Sequence, residues 1–126
     1  MIRYGADLLR AFAGATVPRV TVVLRKAYGG AVITMNSKDL GADMVFAWPE
    51  AEIGIMAAQQ AVGVVHRRRL AEFDHDGQTR ADLIAAYEED HLSAAKAAER
   101  GFIDEVISPG DTRERLSWAI SSLEGR

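Results

Sequence analysis

The chain has 126 residues, of which 48% are hydrophobic and 26% are charged, values typical of one globular domain. The net charge is -3, so the global basic field of a nucleic-acid-binding protein is absent, and the lack of cysteine excludes disulfides, thiolate metal ligands and a cysteine nucleophile. No apolar run reaches the roughly 18 residues that a bilayer-spanning helix needs, and the chain does not begin with the apolar core of a signal peptide. We therefore expect no membrane partner and a cytoplasmic location.

Helices and strands alternate in the first third of the chain. Apolar residues at helical spacing predict a helix over 4–15 that ends near Gly14. The β-branched run at 20–24 predicts a strand with apolar side chains on both faces, so we expect it to be covered on both sides. Two glycines then precede a helix predicted over 31–40.

The same alternation continues to the end of the chain. Strands are predicted over 43–47, 52–56 and 103–107, and helices over 57–68, 81–100 and 112–123. We expect Gly77 to lie in a turn, Ser93 to act as an N-cap that divides the long helical segment, and Gly101 to end it. This order of elements indicates an α/β domain.

Gly29, Gly30 and Ala31 lie between a predicted strand and a predicted helix. Backbone N–H groups at a helix start point outward, and glycine lets a ligand approach the backbone closely. A pair of such donors can stabilise the oxyanion that develops during acyl or carboxyl transfer. The alternative interpretation is a tight turn with a purely structural role.

The remaining polar residues favour no other chemistry. His66, His75 and His91 lack a second ligand at a metal-binding spacing, although His75 stands between Asp74 and Asp76. We therefore expect no metal site. Ser37 and Thr34 have no adjacent histidine, so the sequence does not support a nucleophilic triad. Four acidic residues offer no clear acid/base pair, namely Asp39, Asp43, Glu50 and Glu52.

Three stretches taken together resemble one known family. They are residues 18–31 (PRVTVVLRKAYGGA), 37–56 (SKDLGADMVFAWPEAEIGIM) and 97–109 (AAERGFIDEVISP). In this order they are similar to the β subunit of biotin-dependent acyl-CoA carboxylases, the carboxyltransferase of propionyl-CoA and acetyl-CoA carboxylases. The resemblance extends over nearly the whole chain.

The resemblance implies a crotonase-like fold, a spiral of β-β-α units. The subunit of that family contains two such domains and is several times longer than this chain, which resembles the later part of the second domain. We therefore expect residues 1–126 to be the C-terminal portion of an acyl-CoA carboxyltransferase domain that lacks the opening units of that domain.

The same resemblance implies the transfer of a carboxyl group from carboxybiotin to the α-carbon of an acyl-CoA. Carried over by position, Gly30 and Ala31 supply the backbone N–H oxyanion hole for the biotin ureido oxygen, and Tyr28, Gly29 and Ile33 line the acyl and biotin pocket. The aliphatic Ile33 suggests a short acyl group such as acetyl or propionyl. The implied cofactor is biotin on a carrier protein, not bound covalently to this chain.

The implied partners are an acyl-CoA substrate, a biotin carboxyl carrier or biotin carboxylase subunit, and further copies of the chain. Activity of this chain alone is not expected under this hypothesis. A second hypothesis is a non-catalytic assembly or binding module, because residues 56–62 (MAAQQAV) have lost two glycines common in the family. A third, a stand-alone crotonase-like hydratase or isomerase, is disfavoured because such enzymes need a CoA-binding opening half.

Overall fold

The structure, a computed structural model, describes residues 2–73 and 77–125. Its strands are β1 (Val20–Val23), β2 (Lys26–Tyr28), β3 (Met44–Ala47), β4 (Glu52–Gly54) and β5 (Glu105–Val106). Its α-helices are α1 (Ile2–Gly14), α2 (Gly30–Thr34), α3 (Ala58–Val65), α4 (Arg67–Phe73), α5 (Gln78–Tyr87), α6 (Ala94–Glu99) and α7 (Thr112–Leu123). A π-helical turn (Glu88–Leu92) joins α5 to α6, and a 3-10 turn (Pro109–Asp111) precedes α7. None of the helices described is long and apolar enough to cross a bilayer.

Two successive β-β-α units form the centre of the fold. The first contains β1, β2 and α2, and the second contains β3, β4 and α3. Corresponding strands pair in parallel, β1 with β3 from Val20 opposite Met44, and β2 with β4 from Lys26 opposite Glu52. The second unit thus follows the same path as the first, displaced by the distance between two neighbouring strands. Residues distant in sequence become neighbours in this way. The predicted α/β class is confirmed.

The larger sheet, in the order β1-β3-β5, has a helix against each face. Successive side chains of β3 point to opposite faces. Val45 lies in a buried cluster with Ala97 of α6, whereas Phe46 packs with Ala119 of α7 on the other face. Because β3 is the central strand and is covered on both faces, it is apolar at every position.

The strand predicted over 20–24 is present as β1, and its side chains contact the core on both faces as expected, Val20 and Val22 in one buried cluster and Val23 in the other. All four of its residues are half-buried, because β1 lies at the edge of the sheet and one side faces an open groove. Strand β2 was not predicted from the sequence. Its first residue, Lys26, follows Arg25, and two consecutive charges look like the end of a strand.

The helix predicted over 31–40 ends at Thr34, so this prediction was wrong in extent. Asn36 adopts a left-handed backbone conformation with φ 61°. The Thr21 hydroxyl of β1 donates to the Asn36 carbonyl oxygen at 2.8 Å and accepts from the Asn36 side-chain amide at 2.9 Å. These bonds to the sheet replace the helical bonds that local propensity favours.

Two further predicted helices are divided. The one predicted over 57–68 breaks at His66 into α3 and α4, and the segment 81–100 contains the π-helical turn. Ser93 caps α6 as predicted, since its hydroxyl oxygen accepts a hydrogen bond from the Lys96 N–H at 3.3 Å. Gly101 follows α6 with φ 79°, the left-handed conformation expected of a residue that ends a helix.

Arg19 joins α1 and the 37–41 turn to the start of β1. Its backbone N–H donates to the Asp43 carboxylate at 2.8 Å. Its guanidinium donates to the carbonyl oxygens of Phe12 at 2.6 Å, Leu40 at 3.2 Å and Gly41 at 2.5 Å. A planar guanidinium with several fixed donors can satisfy these oxygens together, which a single amine cannot do in the same geometry.

We expect Arg19→Ala to lower the free energy of unfolding by about 2–3 kcal/mol, because it removes the three guanidinium hydrogen bonds that join α1 to the 37–41 turn. Urea unfolding followed by circular dichroism measures this loss. Arg10→Ala is the matched control, since the Arg10 side chain is 81% exposed and pairs with Asp7 at 3.5 Å. The control is expected to cost less than about 0.5 kcal/mol. Equal losses in the two variants would contradict the role of Arg19.

Candidate functional site

The turn of Gly29, Gly30 and Ala31 follows β2 directly and begins α2. Gly29 has φ 64° and ψ -146°, a conformation that residues with a side chain rarely adopt. A Cβ at Gly29 would also lie 3.2 Å from the carbonyl oxygen of Ile55. The Gly29 N–H donates to the Gly54 carbonyl oxygen at 2.9 Å. The backbone geometry therefore requires glycine at 29, whereas a Cβ at Gly30 would meet nothing within 4 Å.

The N–H groups of Gly30 and Ala31 are the unpaired donors of this turn. Within residues 2–73 and 77–125, no backbone or side-chain atom accepts a hydrogen bond from either of them. The first bond of α2 runs instead from the Val32 N–H to the Gly29 carbonyl oxygen at 3.2 Å. Both donor residues are exposed. Two adjacent amides in this state are available to an oxygen atom of a ligand.

An open groove of about 980 Å³ lies beside the turn. All five site residues predicted from the sequence line it, namely Tyr28, Gly29, Gly30, Ala31 and Ile33. Ile33 is 50% exposed, so its side chain is available to a ligand in the groove. Much of the remaining lining is apolar, with Leu24, Met35, Ile53 and Phe102 among its members. The groove therefore combines two backbone donors with an apolar surface, as small-molecule sites commonly do.

Part of the groove lining comes from residues that were not predicted from the sequence as a site. Tyr87 and His91, whose ring centroids are 4.6 Å apart, line the groove together with Leu92 and Arg100. Leu92 packs so closely over Gly54 that a Cβ on Gly54 would overlap with its side chain. A glycine within a strand was the available signal, because such a glycine often marks a close approach.

Tyr28 is bonded across the small sheet to Glu52, and its hydroxyl donates to the Glu52 carboxylate. Burial, this hydrogen bond and the negative charges of Glu52 and Glu88 raise the pKa of Tyr28 to about 12. The phenol therefore stays protonated at neutral pH. It acts as a fixed donor to Glu52 and does not supply a base for proton transfer.

The histidines form no metal centre in the part of the chain that the structure describes. No group of three metal-binding side chains occurs among those residues. The His66 N–H donates to the Val62 carbonyl oxygen at 2.9 Å at the end of α3, and His91 contacts the ring of Tyr87. The sequence pattern around His75 lies outside the described residues.

Comparison with known proteins gives matches over the whole chain. Residues 1–125 match the family described as the carboxyl transferase domain. The chain is 52% identical over 126 residues to the propionyl-CoA carboxylase, carboxyltransferase subunit of Haloferax mediterranei, covering 100% of this chain and 24% of that relative. It is 47% identical over 128 residues to the biotin-dependent acetyl-/propionyl-coenzyme A carboxylase β5 subunit of Mycobacterium tuberculosis, covering 98% and 23%. The chain thus spans about a quarter of the length of these relatives.

The structure is also similar to a solved one. The crystal structure of transcarboxylase 12S, a hexamer assembly with methylmalonyl-coenzyme A and methylmalonic acid bound, matches with a TM-score of 0.90 at 45% identity. The match covers 96% of this chain and 23% of that chain. The sequence-based expectation of a crotonase-like carboxyltransferase fold is confirmed. The narrower expectation, that residues 1–126 are the C-terminal portion of a second domain, stays a prediction.

Glu52→Gln is expected to lower the pKa of Tyr28, because it removes one of the neighbouring negative charges while burial is unchanged. The parent chain and the Glu52→Gln variant are each titrated at alkaline pH, with and without Tyr28→Phe. In each pair, the difference in tyrosine absorbance isolates the titration of Tyr28. Glu50→Gln is the matched control, since Glu50 is exposed. An unchanged pKa of Tyr28 in Glu52→Gln would contradict the contribution of Glu52 to the raised pKa of Tyr28.

The raised pKa of Tyr28 also predicts a dependence of stability on pH. Between pH 10 and about 12, the folded chain holds the phenol proton more tightly than the unfolded chain does. The stabilising contribution of Tyr28 is therefore complete below pH 10 and is lost as the pH rises through this range. We expect the free energy of unfolding to fall less steeply over this range in Tyr28→Phe. Equal slopes in urea unfolding series would contradict this.

Proposed function

Because this chain belongs to the carboxyl transferase domain family, we propose that it forms the biotin-facing part of a carboxyltransferase site. This site moves a carboxyl group from carboxybiotin to the α-carbon of a short acyl-CoA, with propionyl-CoA or acetyl-CoA as acceptor. The observation that carries the proposal is the pair of unpartnered N–H groups of Gly30 and Ala31 beside the groove. Since the relatives are about four times longer, we propose that activity requires the rest of such a protein.

The two amide donors match the charge that the reaction develops. Carboxybiotin enters as a substrate, and breaking its N–CO2 bond leaves the electron pair on the ureido nitrogen, from which resonance moves negative charge to the ureido oxygen. The N–H groups of Gly30 and Ala31 donate to this oxygen. Because the turn already holds them outward, they stabilise the charge without reorganising during the reaction.

The proposed reaction needs no side-chain base from this chain. The ureido anion takes the α-proton of the acyl-CoA, and the α-carbon then forms its bond to the released CO2, so protons and electrons balance. Tyr28 is unsuited to serve as a base, because it is protonated and bonded to Glu52. This division of roles agrees with a site built mainly from backbone donors and apolar side chains.

Tyr28, Gly29 and Ile33 are assigned to the walls of the pocket. Gly29 sets the direction of the turn through its positive φ, and Tyr28 borders the groove at the end of β2. The half-exposed, aliphatic Ile33 offers an apolar contact with no hydrogen-bonding group. Such a contact suits a short apolar acyl group, which supports acetyl-CoA or propionyl-CoA as the substrate.

We also propose the partners that this reaction requires. Biotin would arrive on a biotin carboxyl carrier or biotin carboxylase subunit, and further copies of the chain would assemble with it. The biotin-dependent name of one relative and the hexamer of the solved structure support this part of the proposal. A cytoplasmic location is supported by the absence of cysteine from the sequence.

A second candidate function, a non-catalytic assembly module, is favoured by the apolar surface. Val64 and Val65 at the end of α3 are 72% and 65% exposed, and Ile55 beside the turn is 83% exposed. Apolar surface of this extent is typical of a protein that packs against another chain. The two candidates share the fold and the contacts between chains, and they differ in catalysis.

Carboxyl transfer in the reverse direction, from malonyl-CoA or methylmalonyl-CoA to free biotin, tests the proposal. The chain is assayed alone and mixed with the part of the Haloferax mediterranei relative that it does not match. We expect activity in the mixture and none from the chain alone. Absence of transfer in both samples, from folded protein that still associates, would favour the assembly module.

The contribution of the oxyanion donors is tested in the same mixture with a matched pair of variants. Gly30→Pro removes one N–H at the first position of a helix, where proline is well accommodated, and is expected to lower the rate by roughly a hundred-fold or more. Gly30→Ala keeps the N–H, and its Cβ has open space. Equal losses in the two variants would contradict a role for the Gly30 donor.

Self-association of this chain is expected, because the exposed apolar residues would be covered in an oligomer. Light scattering at micromolar concentration should report a species larger than the monomer. Val64→Lys is expected to shift the distribution towards monomer, whereas Ser121→Lys, at an exposed polar position of α7, serves as the control. A strictly monomeric parent chain would contradict this expectation.

A further inference from the structure

The oxyanion turn depends on a small sheet. In the part of the chain that the structure describes, β2 and β4 form a two-stranded parallel sheet with three residues in each strand. One further bond extends this pairing into the turn, from the Gly29 N–H to the Gly54 carbonyl oxygen. Isolated two-stranded pairs are marginally stable in water. Other contacts must therefore hold the end of β2 in place.

The side chains of Tyr28 and Glu52 provide such a contact. In the strand register, Tyr28 lies opposite Gly54, and Lys26 lies opposite Glu52. Gly54 has no side chain opposite Tyr28. The Tyr28 side chain extends along β4 to the residue two positions earlier, where its hydroxyl donates to the Glu52 carboxylate. Leu92 of the π-helical turn packs over Gly54.

We infer that Glu52 is a positioning residue for the turn. By accepting the hydrogen bond from Tyr28, Glu52 holds the last residue of β2 against β4 and so maintains the Gly29 N–H bond to Gly54. The outward direction of the Gly30 and Ala31 donors follows from that geometry. The importance of this arrangement for catalysis rests on the proposed function, whereas its effect on the turn does not.

A hydrogen bond to a charged acceptor suits this role. Such bonds contribute more than those between neutral groups, and the carboxylate can accept without competing for the backbone groups of the strands. The hydroxyl of Tyr28 remains a donor because its proton is retained well above neutral pH. A ring that merely filled space would hold the turn equally well without its hydroxyl, and this difference makes the inference testable.

Amide hydrogen exchange of Gly29, measured by NMR on the full chain at neutral pH, provides the test. Tyr28→Phe and Glu52→Ala are each expected to accelerate exchange at Gly29 roughly ten-fold, since each removes the same bond. The double variant should exchange no faster than either single variant. Glu52→Gln should keep most of the protection, because the amide oxygen of glutamine still accepts from the Tyr28 hydroxyl.

Two controls separate a local effect from general loss of stability. The Val45 N–H, which donates to the Asp104 carboxylate at 2.8 Å, reports on the larger sheet and should keep its exchange rate. Tyr87→Phe removes the hydroxyl of another tyrosine that lines the groove and should leave Gly29 exchange unchanged. Unchanged exchange at Gly29 in Tyr28→Phe, additive effects in the double variant, or equal acceleration at Val45 would overturn the inference.

The same variants distinguish this inference from the proposed function. In the carboxyl-transfer mixture, kcat should fall in Tyr28→Phe and be largely retained in Glu52→Gln. If transfer is absent but Gly29 exchanges as expected, the proposed function fails and the positioning role stands. If transfer occurs and Gly29 exchange does not respond to Tyr28→Phe, the positioning role fails and the proposed function stands.

Discussion

The parallel pairing of β2 with β4 is the constraint on which the site depends. It sets the end of β2 beside Gly54, so that the Gly29 N–H finds its acceptor there and the chain turns with a positive φ. After that turn, the next two amides have no acceptor among the described residues and lie beside the groove. A different register would place a side chain where Gly54 now leaves room for Leu92.

The repeat of the β-β-α unit gives this pairing its support. The same displacement that sets β2 beside β4 sets β1 beside β3, where a buried core covers both faces of the central strand. The pairing of β1 with β3 in the larger, better buried sheet therefore also sets the register of β2 against β4. Since β1 lies at the edge of that sheet and α2 is short, one side of the first unit remains open as the groove.

The chemistry available in the groove follows from backbone amides more than from titratable side chains. Amide donors keep their protons across the physiological pH range, and the phenol of Tyr28 does so as well, because burial and nearby carboxylates raise its pKa. Such a site can stabilise negative charge on a ligand but supplies no evident base. This property agrees with carboxyl transfer in which the ureido anion of the biotin substrate takes the proton.

The sequence by itself determined the features that depend on neighbours along the chain. Hydrophobic spacing predicted α1, β1 and β3, and Ser93 was identified as the cap of α6. The predicted site residues all lie in the contiguous stretch from Tyr28 to Ile33. Ordered motifs indicated the carboxyltransferase family. These features are local because helical, capping and turn bonds join residues a few positions apart.

Only the tertiary structure decided which distant residues complete the site. The hydrogen bond between Tyr28 and Glu52 depends on the parallel pairing of β2 with β4. The contact of Leu92 with Gly54 depends on the packing of the π-helical turn. Neither contact can be predicted from the spacing of residues along the chain. The early end of α2 has a similar origin, because Asn36 bonds to a strand that precedes it. Parallel strands are joined through long connections, so their register is set by burial of the whole unit.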